Sequence, residues 1–366
     1  MYSKELKSIK KSNRFRTREI FDESLIDLAS NDYLGLTTNK LLFQKAYERV
    51  LEENYTAPKA SLLVNGYNKI HKEFETLLCK ANKFESAITV GSGFLANISL
   101  IEALVRKKDR LFIDEQYHAS GILATKLLNK NQVITFKHND IDDLKQKFKE
   151  FSNSRNIIAI EGVYSMQGDL APKEIFDFAD EVKALLIVDE AHSSGVIGEN
   201  LLGIFDYYKI QPKENHIKMG TLGKAYGSYG AYILGSFHII EYLQNRAKAI
   251  IYTTAPSLFD ISLALQSLKY ILNNKVNLKS SIKARLNIVK DVLNINSNSL
   301  IIPIDIGDNK KVLEIQEELK KHGFLVGAIR QPTVKSAIIR LIAKIDINEK
   351  NLKFVCNFLK ENRWKK

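Results

Sequence analysis

One lysine of this sequence lies in a setting where its amine could do chemistry. Lys224 follows Gly223 in a glycine-rich turn that comes after the short run His216–Met219. The glycine permits close approach of the backbone, and a lysine in such a turn, rather than on a solvated helix face, is expected to be buried and activated. The sequence therefore predicts a nucleophilic amine at position 224, which could form a Schiff base with a carbonyl group.

A carboxylate and an imidazole follow an apolar run earlier in the sequence. Asp189 ends the predicted strand Leu185–Val188, and His192 comes shortly after it. A buried carboxylate is costly without a partner, so Asp189 is expected to meet a cation. The four letters DEAH at 189–192 also spell the box of a helicase family. A helicase is disfavoured, because no G-x-x-x-x-G-K-[ST] phosphate loop occurs in the sequence.

A third cluster is a candidate anion site. Gly91-Ser92-Gly93-Phe94 opens the predicted helix that runs through Asn97 to Leu104. Small residues at a helix N-terminus expose N–H groups to an anion, although the same residues also form ordinary turns. A lysine, a strand-end aspartate and an anion-binding helix N-terminus are together what pyridoxal 5′-phosphate (PLP) requires. The lysine forms the Schiff base, the carboxylate pairs with the pyridinium nitrogen and the helix holds the phosphate.

The elements that must position these residues form an α/β pattern. Short apolar runs alternate with amphipathic segments such as Ile141–Phe151 and Lys173–Val182, which is typical of βαβ units and a mainly parallel sheet flanked by helices. In such a sheet, ligands bind beyond the carboxyl ends of the strands. The predicted strands are Ala87–Val90, Arg110–Ile113, Gln132–Phe136, Ile157–Ile160 and Leu185–Val188.

The later part of the sequence indicates a smaller α+β domain. We predict helices at Phe237–Ala249, Leu258–Leu293, Lys311–His322 and Glu349–Glu361, and strands at Leu300–Ile304, Phe324–Ile329 and Ala337–Ala343. The chain is accordingly predicted to consist of an N-terminal arm (1–42), a large PLP-binding domain (43–240) and a small C-terminal domain (241–366).

Composition and charge exclude several classes of protein. The chain has 366 residues, 45% hydrophobic and 26% charged, so it can bury a large core. Its net charge of +12 could attract nucleic acid or an anionic ligand, but the excess is spread along the chain, which favours a lysine-rich surface. Cys79 and Cys356 lack metal or redox spacing, which indicates a reducing cytoplasm and no metal site. Glu102 interrupts the most apolar stretch, so no membrane span is expected.

Six motifs, in the same order along the chain, resemble those of the α-oxoamine synthases. These are PLP enzymes of fold type I that join an amino acid to an acyl thioester with loss of carbon dioxide. The resemblance implies a cytoplasmic homodimer with shared active sites. The motifs are Ser30–Leu36 (SNDYLGL), Ser92-Gly93-Phe94, Glu161–Pro172 (EGVYSMQGDLAP), Val188–Gly198 (VDEAHSSGVIG), Thr221–Gly227 (TLGKAYG) and Ala328–Val334 (AIRQPTV).

The last motif is most similar to one branch of that family. This branch makes 8-amino-7-oxononanoate, a biotin precursor, from L-alanine and a pimeloyl thioester carried by coenzyme A (CoA) or by acyl carrier protein. Glycine C-acetyltransferase, 5-aminolevulinate synthase and long-chain condensing enzymes are alternatives within the family. A basic nucleic-acid-binding α/β protein is the alternative from another class, but neither nucleic acid nor a membrane is an expected partner.

The resemblance also implies roles for individual residues. The implied catalytic residues are Lys224, His118, Asp189 and His192. The implied cofactor-binding residues are Gly93, Phe94, His118, Ser165, Asp189, His192, Thr221, Lys224 and, from a second subunit, Thr254. The implied substrate-binding residues are Arg14, with Arg16 as its alternative, and Asn31, His118, Thr333 and Arg340.

Other polar residues are expected to be structural. Asp114 and Glu115 are interpreted as an acidic cap on the following helix rather than as catalytic groups. The histidines without motif partners are expected to be surface or capping residues, and these are His71, His138, His216, His238 and His322.

Overall fold

The structure is a computed structural model that describes residues 2–151 and 154–362. It divides into two compact units. The larger comprises Leu34–Ser165 and Asp169–Lys279, and the smaller comprises Met1–Tyr33, Met166–Gly168 and Ser280–Lys366. These limits differ from the predicted boundaries after residues 42 and 240, because the helices that follow residue 237 still pack with the larger unit. Of the predicted arm and small domain, residues 1 and 363–366 lie outside the described residues.

The described residues form eleven strands, which include all those predicted from the sequence. They are β1 Ile26–Leu28, β2 Ser86–Val90, β3 Arg110–Asp114, β4 Val133–Phe136, β5 Asn156–Glu161, β6 Leu185–Asp189, β7 His216–Thr221, β8 Ala231–Gly235, β9 Ile301–Gly307, β10 Phe324–Ile329 and β11 Ala337–Ile342.

Thirteen α-helices occur in the same residues. They are α1 Ser3–Lys11, α2 Lys40–Leu51, α3 Lys69–Asn82, α4 Gly93–Leu104, α5 Ala119–Ala124, α6 Ile141–Lys149, α7 Lys173–Glu181, α8 Ile204–Tyr207, α9 Phe237–Arg246, α10 Lys248–Ile251, α11 Leu258–Leu293, α12 Asn309–Lys321 and α13 Glu349–Asn362.

The larger unit is built on a seven-stranded sheet in the order β2-β8-β7-β6-β5-β3-β4. Strand β8 is antiparallel to both of its neighbours, and all other pairs are parallel. Parallel strands are covered on both faces, which is why these strands are continuous apolar runs; every residue of β5 is buried. The predicted mainly parallel sheet is confirmed.

Helices cover both faces of this sheet. On one face, α4 packs with α9 and α10 in a core cluster that contains Leu111 and Ile113 of β3. Phe112, between them, must point to the other face, since side chains alternate along a strand. Its ring lies 5.3 Å from that of Phe148 in α6, which in turn lies 5.2 Å from that of Phe178 in α7. The larger unit therefore has three layers, as expected for an α/β fold.

The smaller unit contains a four-stranded mixed sheet in the order β1-β10-β11-β9. Strand β1, close to the N-terminus, pairs in parallel with β10, and the other two pairs are antiparallel. Chain segments far apart in sequence therefore build one α+β unit, which confirms the predicted class. Throughout residues 2–151 and 154–362, each helix is too short or too polar to cross a lipid bilayer.

His138 has a structural role that its sequence position does not indicate. Its Nδ1 lies 3.0 Å from Asp114 Oδ1, and its Nε2 lies 2.7 Å from Asp169 Oδ2. Burial opposes protonation of the ring, but the hydrogen bonds and charges of the two aspartates outweigh it and raise the pKa of His138 to about 9. A charged imidazole therefore ties the end of β3 to the loop that contains Asp169.

We predict that His138→Gln lowers the free energy of unfolding by up to about 3 kcal/mol near pH 6. Because the pKa is raised in the folded protein, this contribution is complete below the unfolded value of 6.5 and is lost as the pH rises through about 9. Urea unfolding near pH 6 and again near pH 10 measures the difference. His238→Gln at an exposed position is the control, and an equal loss for His138→Gln at both pH values would contradict the prediction.

Candidate active site

A cavity of about 200 Å³ lies at the carboxyl ends of the central strands of the larger unit. This is the edge at which parallel sheets bind ligands. The cavity is lined by Gly93, Phe94, Asn97, His118, Glu161, Asp189, Ala191, His192, Met219, Thr221 and Lys224. Seven of these residues are candidates from the sequence, and the structure brings them together from the ends of four strands, β2, β3, β6 and β7.

The turn that follows β7 holds Lys224 in place. Gly227 has a left-handed φ of 59°, and a Cβ atom there would approach the backbone of Leu36 to 2.8 Å, so this position requires glycine. The Nζ of Lys224 lies 2.8 Å from Nε2 of His192, which is itself buried. An amine that is fixed by a tight turn and paired with an imidazole can serve as a nucleophile and as a proton acceptor.

Asp189 ends β6 inside the cavity and is 3% exposed. Its Oδ1 accepts a hydrogen bond from the backbone N–H of Ala191 at 3.0 Å, and its Oδ2 accepts one from Nδ2 of Asn97 at 2.8 Å. Both donors are neutral. A buried carboxylate held in this way suits a cationic ligand nitrogen, which would supply the charge that the two amides do not.

Glu161 is a second buried acid of the cavity, opposite Asp189 in the register of β5 and β6. Its Oε2 accepts the backbone N–H of Ser165 at 3.1 Å, and its Oε1 has no hydrogen-bond partner among the described residues. Burial, and then the charge of Asp189, raise the pKa of Glu161 well above its usual value. Sequence reasoning does not single out this side chain, although it opens the motif EGVYSMQGDLAP.

The start of α4 forms the candidate anion site. The side chain of Ser92 caps the helix by accepting the N–H of Leu95 at 3.2 Å. A Cβ atom at Gly93 would lie 3.7 Å from Cβ of Thr221, so the helix N-terminus and the end of β7 adjoin each other. Phe94 completes this side of the cavity. Free N–H groups at the N-terminus of a twelve-residue helix, beside a threonine hydroxyl, are suited to a phosphate.

His118 lies at the N-terminus of α5 and faces the same cavity. Its Nδ1 accepts the backbone N–H of Ser120 at 3.2 Å and lies 2.7 Å from that residue's hydroxyl oxygen. Burial lowers its pKa; Asp189 acts in the opposite direction, and Lys224 lowers the pKa further. The ring is therefore a neutral imidazole near pH 7, as suits a group that packs against an aromatic ligand.

Two predicted cofactor-binding residues do not line the cavity. Ser165 lies beside it, where its N–H contacts Glu161, and Thr254 is an exposed residue between α10 and α11. The role of Thr254 in a second subunit stays a prediction. Asp114 accepts the N–H of Gln116 at 2.8 Å and binds His138, so its contacts are structural. Its interpretation as a helix cap is wrong, because the side chain that caps α5 is that of His118.

The predicted substrate-binding residues other than His118 lie in the smaller unit, where they form two groups. In one, Nη2 of the buried Arg340 donates to Oδ1 of Asn31 at 3.0 Å. In the other, Nη2 of Arg16 lies 3.3 Å from the hydroxyl of Thr333. The structure thus pairs Thr333 with Arg16, which is the alternative to Arg14. The backbone N–H of Arg14 donates to the carbonyl oxygen of Ile9, and its side chain is exposed.

A buried ion pair supports the loop that carries His192. Glu190, fully buried, accepts hydrogen bonds from the backbone N–H of Ile204 at 2.6 Å and from the hydroxyl of Ser193. Nζ of Lys218 in β7 lies 3.6 Å from its Oε1. Gly203 has a φ of 96°, and a Cβ atom there would overlap with the Glu190 carboxylate. Glu190, the residue next to Asp189, is therefore held by hydrogen bonds, by an ion pair and by close packing against Gly203.

Glu161→Gln is predicted to stabilise the cofactor-free protein increasingly as the pH rises above about 4.5. The raised pKa of Glu161 means that the unfolded chain loses this proton before the folded chain does, so ionisation favours unfolding. Glutamine keeps the shape and removes the titration. Urea unfolding at pH 4 to 8 gives the difference from wild type, with exposed Glu150→Gln as control. A difference that does not vary with pH would contradict the prediction.

Comparison with known proteins shows the family of the chain. Residues 23–359 match the family described as aminotransferase class I and II. The 8-amino-7-oxononanoate synthase of Helicobacter pylori (strain J99) is 46% identical over 361 residues, which cover 98% of this chain and 96% of that protein.

Solved structures share the fold. The 8-amino-7-oxononanoate synthase of Francisella tularensis is 26% identical, with a TM-score of 0.78, and the match covers 93% of this chain and 98% of that one. A serine palmitoyltransferase from S. paucimobilis with bound PLP-myriocin is 20% identical, with a TM-score of 0.88 and coverage of 98% and 96%. The predicted enzyme class and the resemblance to α-oxoamine synthases of the 8-amino-7-oxononanoate branch are confirmed. The chain belongs to the aminotransferase class I and II family.

Proposed function

We propose that this enzyme condenses L-alanine with a pimeloyl thioester, carried by CoA or by acyl carrier protein, in biotin biosynthesis. The products are 8-amino-7-oxononanoate, carbon dioxide and the free thiol. One observation carries the proposal: a single cavity contains the amine of Lys224, the buried carboxylate of Asp189 and the N-terminus of α4. The 46% identity to the synthase from H. pylori supports this choice of substrates over those of other family members.

The residues of the cavity fit PLP as the cofactor. Lys224 would hold its aldehyde carbon through a bond from Nζ, and Asp189 would keep a proton on its pyridine nitrogen. The N–H groups at Gly93 and Phe94, with Thr221, would bind its phosphate. When bound, PLP takes up the electron pair that remains on the amino-acid Cα after deprotonation. Asp189 supports this assignment, because it is buried and accepts hydrogen bonds from two neutral amides, an environment that suits a cationic nitrogen.

The remaining groups control the ring and the protons. His118 would pack on one face of the ring, while His192 and Ser165 would lie toward its phenolic oxygen. The Nζ amine of Lys224 would take the Cα proton of alanine, and His192 at 2.8 Å would orient that amine. A bond then forms between the alanine Cα and the thioester carbonyl carbon as the thiol leaves. Carbon dioxide departs from the alanine carboxylate, and one proton is returned to the same carbon.

The polar residues of the smaller unit suit the substrate carboxylates. Arg340 and Asn31 form one hydrogen-bonded pair, and a guanidinium can hold a carboxylate with two parallel hydrogen bonds. Thr333, with Arg16 or Arg14, would meet the acyl substrate. The enzyme would act in the cytoplasm as a homodimer in which Thr254 reaches the phosphate site of the second subunit.

Lys224→Ala is expected to abolish condensation and to remove the visible absorption band of lysine-bound PLP. The alanine side chain lacks the only atom that could form the covalent bond at this position, whereas the turn should persist because Gly227 and the strand ends hold it. Absorbance after incubation with PLP, turnover and thermal unfolding are measured together. Lys213→Ala, at an exposed position, should retain all three. A Lys224→Ala protein with the visible band or with turnover would remove Lys224 from this role.

A substrate panel tests the proposed reaction. L-Alanine, glycine and L-serine are each combined with pimeloyl-, acetyl-, succinyl- and palmitoyl-CoA, and thiol release is followed together with mass spectrometry of the product. We expect L-alanine with pimeloyl-CoA to exceed every other pair by about tenfold or more in kcat/KM. Pimeloyl-acyl carrier protein is assayed in parallel to decide the carrier. A preference for glycine or L-serine would assign the enzyme to another branch of the α-oxoamine synthases.

A further inference from the structure

Asn97 joins the two groups that the proposed function places around the cofactor ring, Asp189 and His118. It lies in the middle of α4 and is 1% exposed. A buried amide is tolerated only when its N–H and C=O groups have partners. Its Nδ2 donates to Asp189 Oδ2 at 2.8 Å and to the hydroxyl oxygen of Ser120 at 2.9 Å. Both N–H groups of this one side chain are therefore donated, one to Asp189 and one to Ser120.

Tyr117 fixes which way the amide faces. Its hydroxyl donates to Oδ1 of Asn97 at 2.7 Å, and its ring is buried. The ring lies against Gly121 of α5, where any Cβ atom would overlap with it. The carbonyl oxygen of Asn97 is therefore held on the side of Tyr117, and both N–H groups face acceptors.

The chain of hydrogen bonds also determines the tautomer of His118. The backbone N–H of Ser120 donates to Nδ1 of His118, so this nitrogen carries a lone pair. The hydroxyl of Ser120, 2.7 Å from the same nitrogen, must then donate to it as well. Its oxygen is left to accept from Asn97. The ring proton of the neutral imidazole accordingly lies on Nε2.

We propose that Asn97 is a positioning residue that couples Asp189 to His118 through one amide. The carboxylate that meets the pyridine nitrogen and the imidazole on the ring face are then fixed together rather than separately. This inference rests on the proposed function for the identity of the ligand. Loss of the amide should disturb both ends of the chain, whereas loss of the Ser120 hydroxyl should disturb only the His118 end.

Four variants separate this role from a merely structural one. Leucine is similar in shape to asparagine but lacks both N–H donors, so Asn97→Leu is the main variant. If this variant does not fold, Asn97→Ala is used instead. Ser120→Ala breaks only the branch to His118. Ser99→Ala is the matched control, because it removes a buried hydroxyl from the same helix whose hydrogen bond goes to the carbonyl of Leu95 in the preceding turn.

Two spectroscopic signals report the two ends. The ¹⁵N shift of the pyridine nitrogen, in holoenzyme loaded with ¹⁵N-labelled PLP, reports its proton. The ¹⁵N shifts of His118, in histidine-labelled protein and assigned with His118→Gln, report its tautomer with or without cofactor. Asn97→Leu should move both signals and speed PLP release by about tenfold. Ser120→Ala should move only the His118 signal, and Ser99→Ala should move neither.

Two results would overturn the inference. One is an Asn97→Leu protein whose stability falls while the pyridine signal stays as in wild type. The other is a Ser120→Ala protein in which the pyridine signal moves as far as it does in Asn97→Leu. If wild-type protein binds no PLP, the proposed function fails instead. The His118 signal of the cofactor-free variants then still decides, since an unchanged tautomer in Asn97→Leu would show that Asn97 does not control His118.

Discussion

Two carboxyl groups buried side by side are the constraint on which this site depends. Glu161 and Asp189 end neighbouring parallel strands in direct register, and each is at most 3% exposed. Like charges on two buried neighbours repel, so a cation nearby would favour this arrangement. Burial, and then the charge of Asp189, raise the pKa of Glu161 well above its usual value. The amine of Lys224 and a protonated ligand nitrogen are the cations that this arrangement accepts.

Three acids at the ends of neighbouring strands, Asp114, Glu161 and Asp189, lie at the same edge of the sheet and have different surroundings. Asp114 of β3 is neutralised by protonated His138 and by backbone N–H groups, which removes it from the chemistry. Glu161 of β5 has a pKa that burial and the charge of Asp189 raise. Asp189 of β6 accepts hydrogen bonds from two neutral amides, the backbone N–H of Ala191 and Nδ2 of Asn97. Because a parallel sheet brings all three strand ends to one edge, the fold places three acids there, and each of them has different partners.

The scaffold could be predicted from the sequence where one pattern dominates. Buried parallel strands are continuous apolar runs, and α11 has the predicted bounds Leu258–Leu293. Strand β8 is missed because it pairs antiparallel without an intervening helix, and the predicted helix over 237–249 divides at Ala247, whose backbone is extended. In the site, strand-end residues such as Lys224 carry a sequence signal. Asn97 does not, since its role comes from contacts with residues up to 92 positions away, and an amide in an apolar helix looks like an interruption.

The packing of Gly203 against Glu190 has a consequence for how this family can vary. A side chain at 203 would need both the positive φ of 96° and the space that the Glu190 carboxylate fills. A shorter acid at 190 would open that space, but it would also withdraw the acceptor from the N–H of Ile204 and leave Lys218 without its nearest anion. A substitution at position 190 or 203 alone would be destabilising. We therefore expect substitutions at positions 190, 203 and 218 to occur together. The packing next to Asp189 can therefore change only when all three of these residues change together.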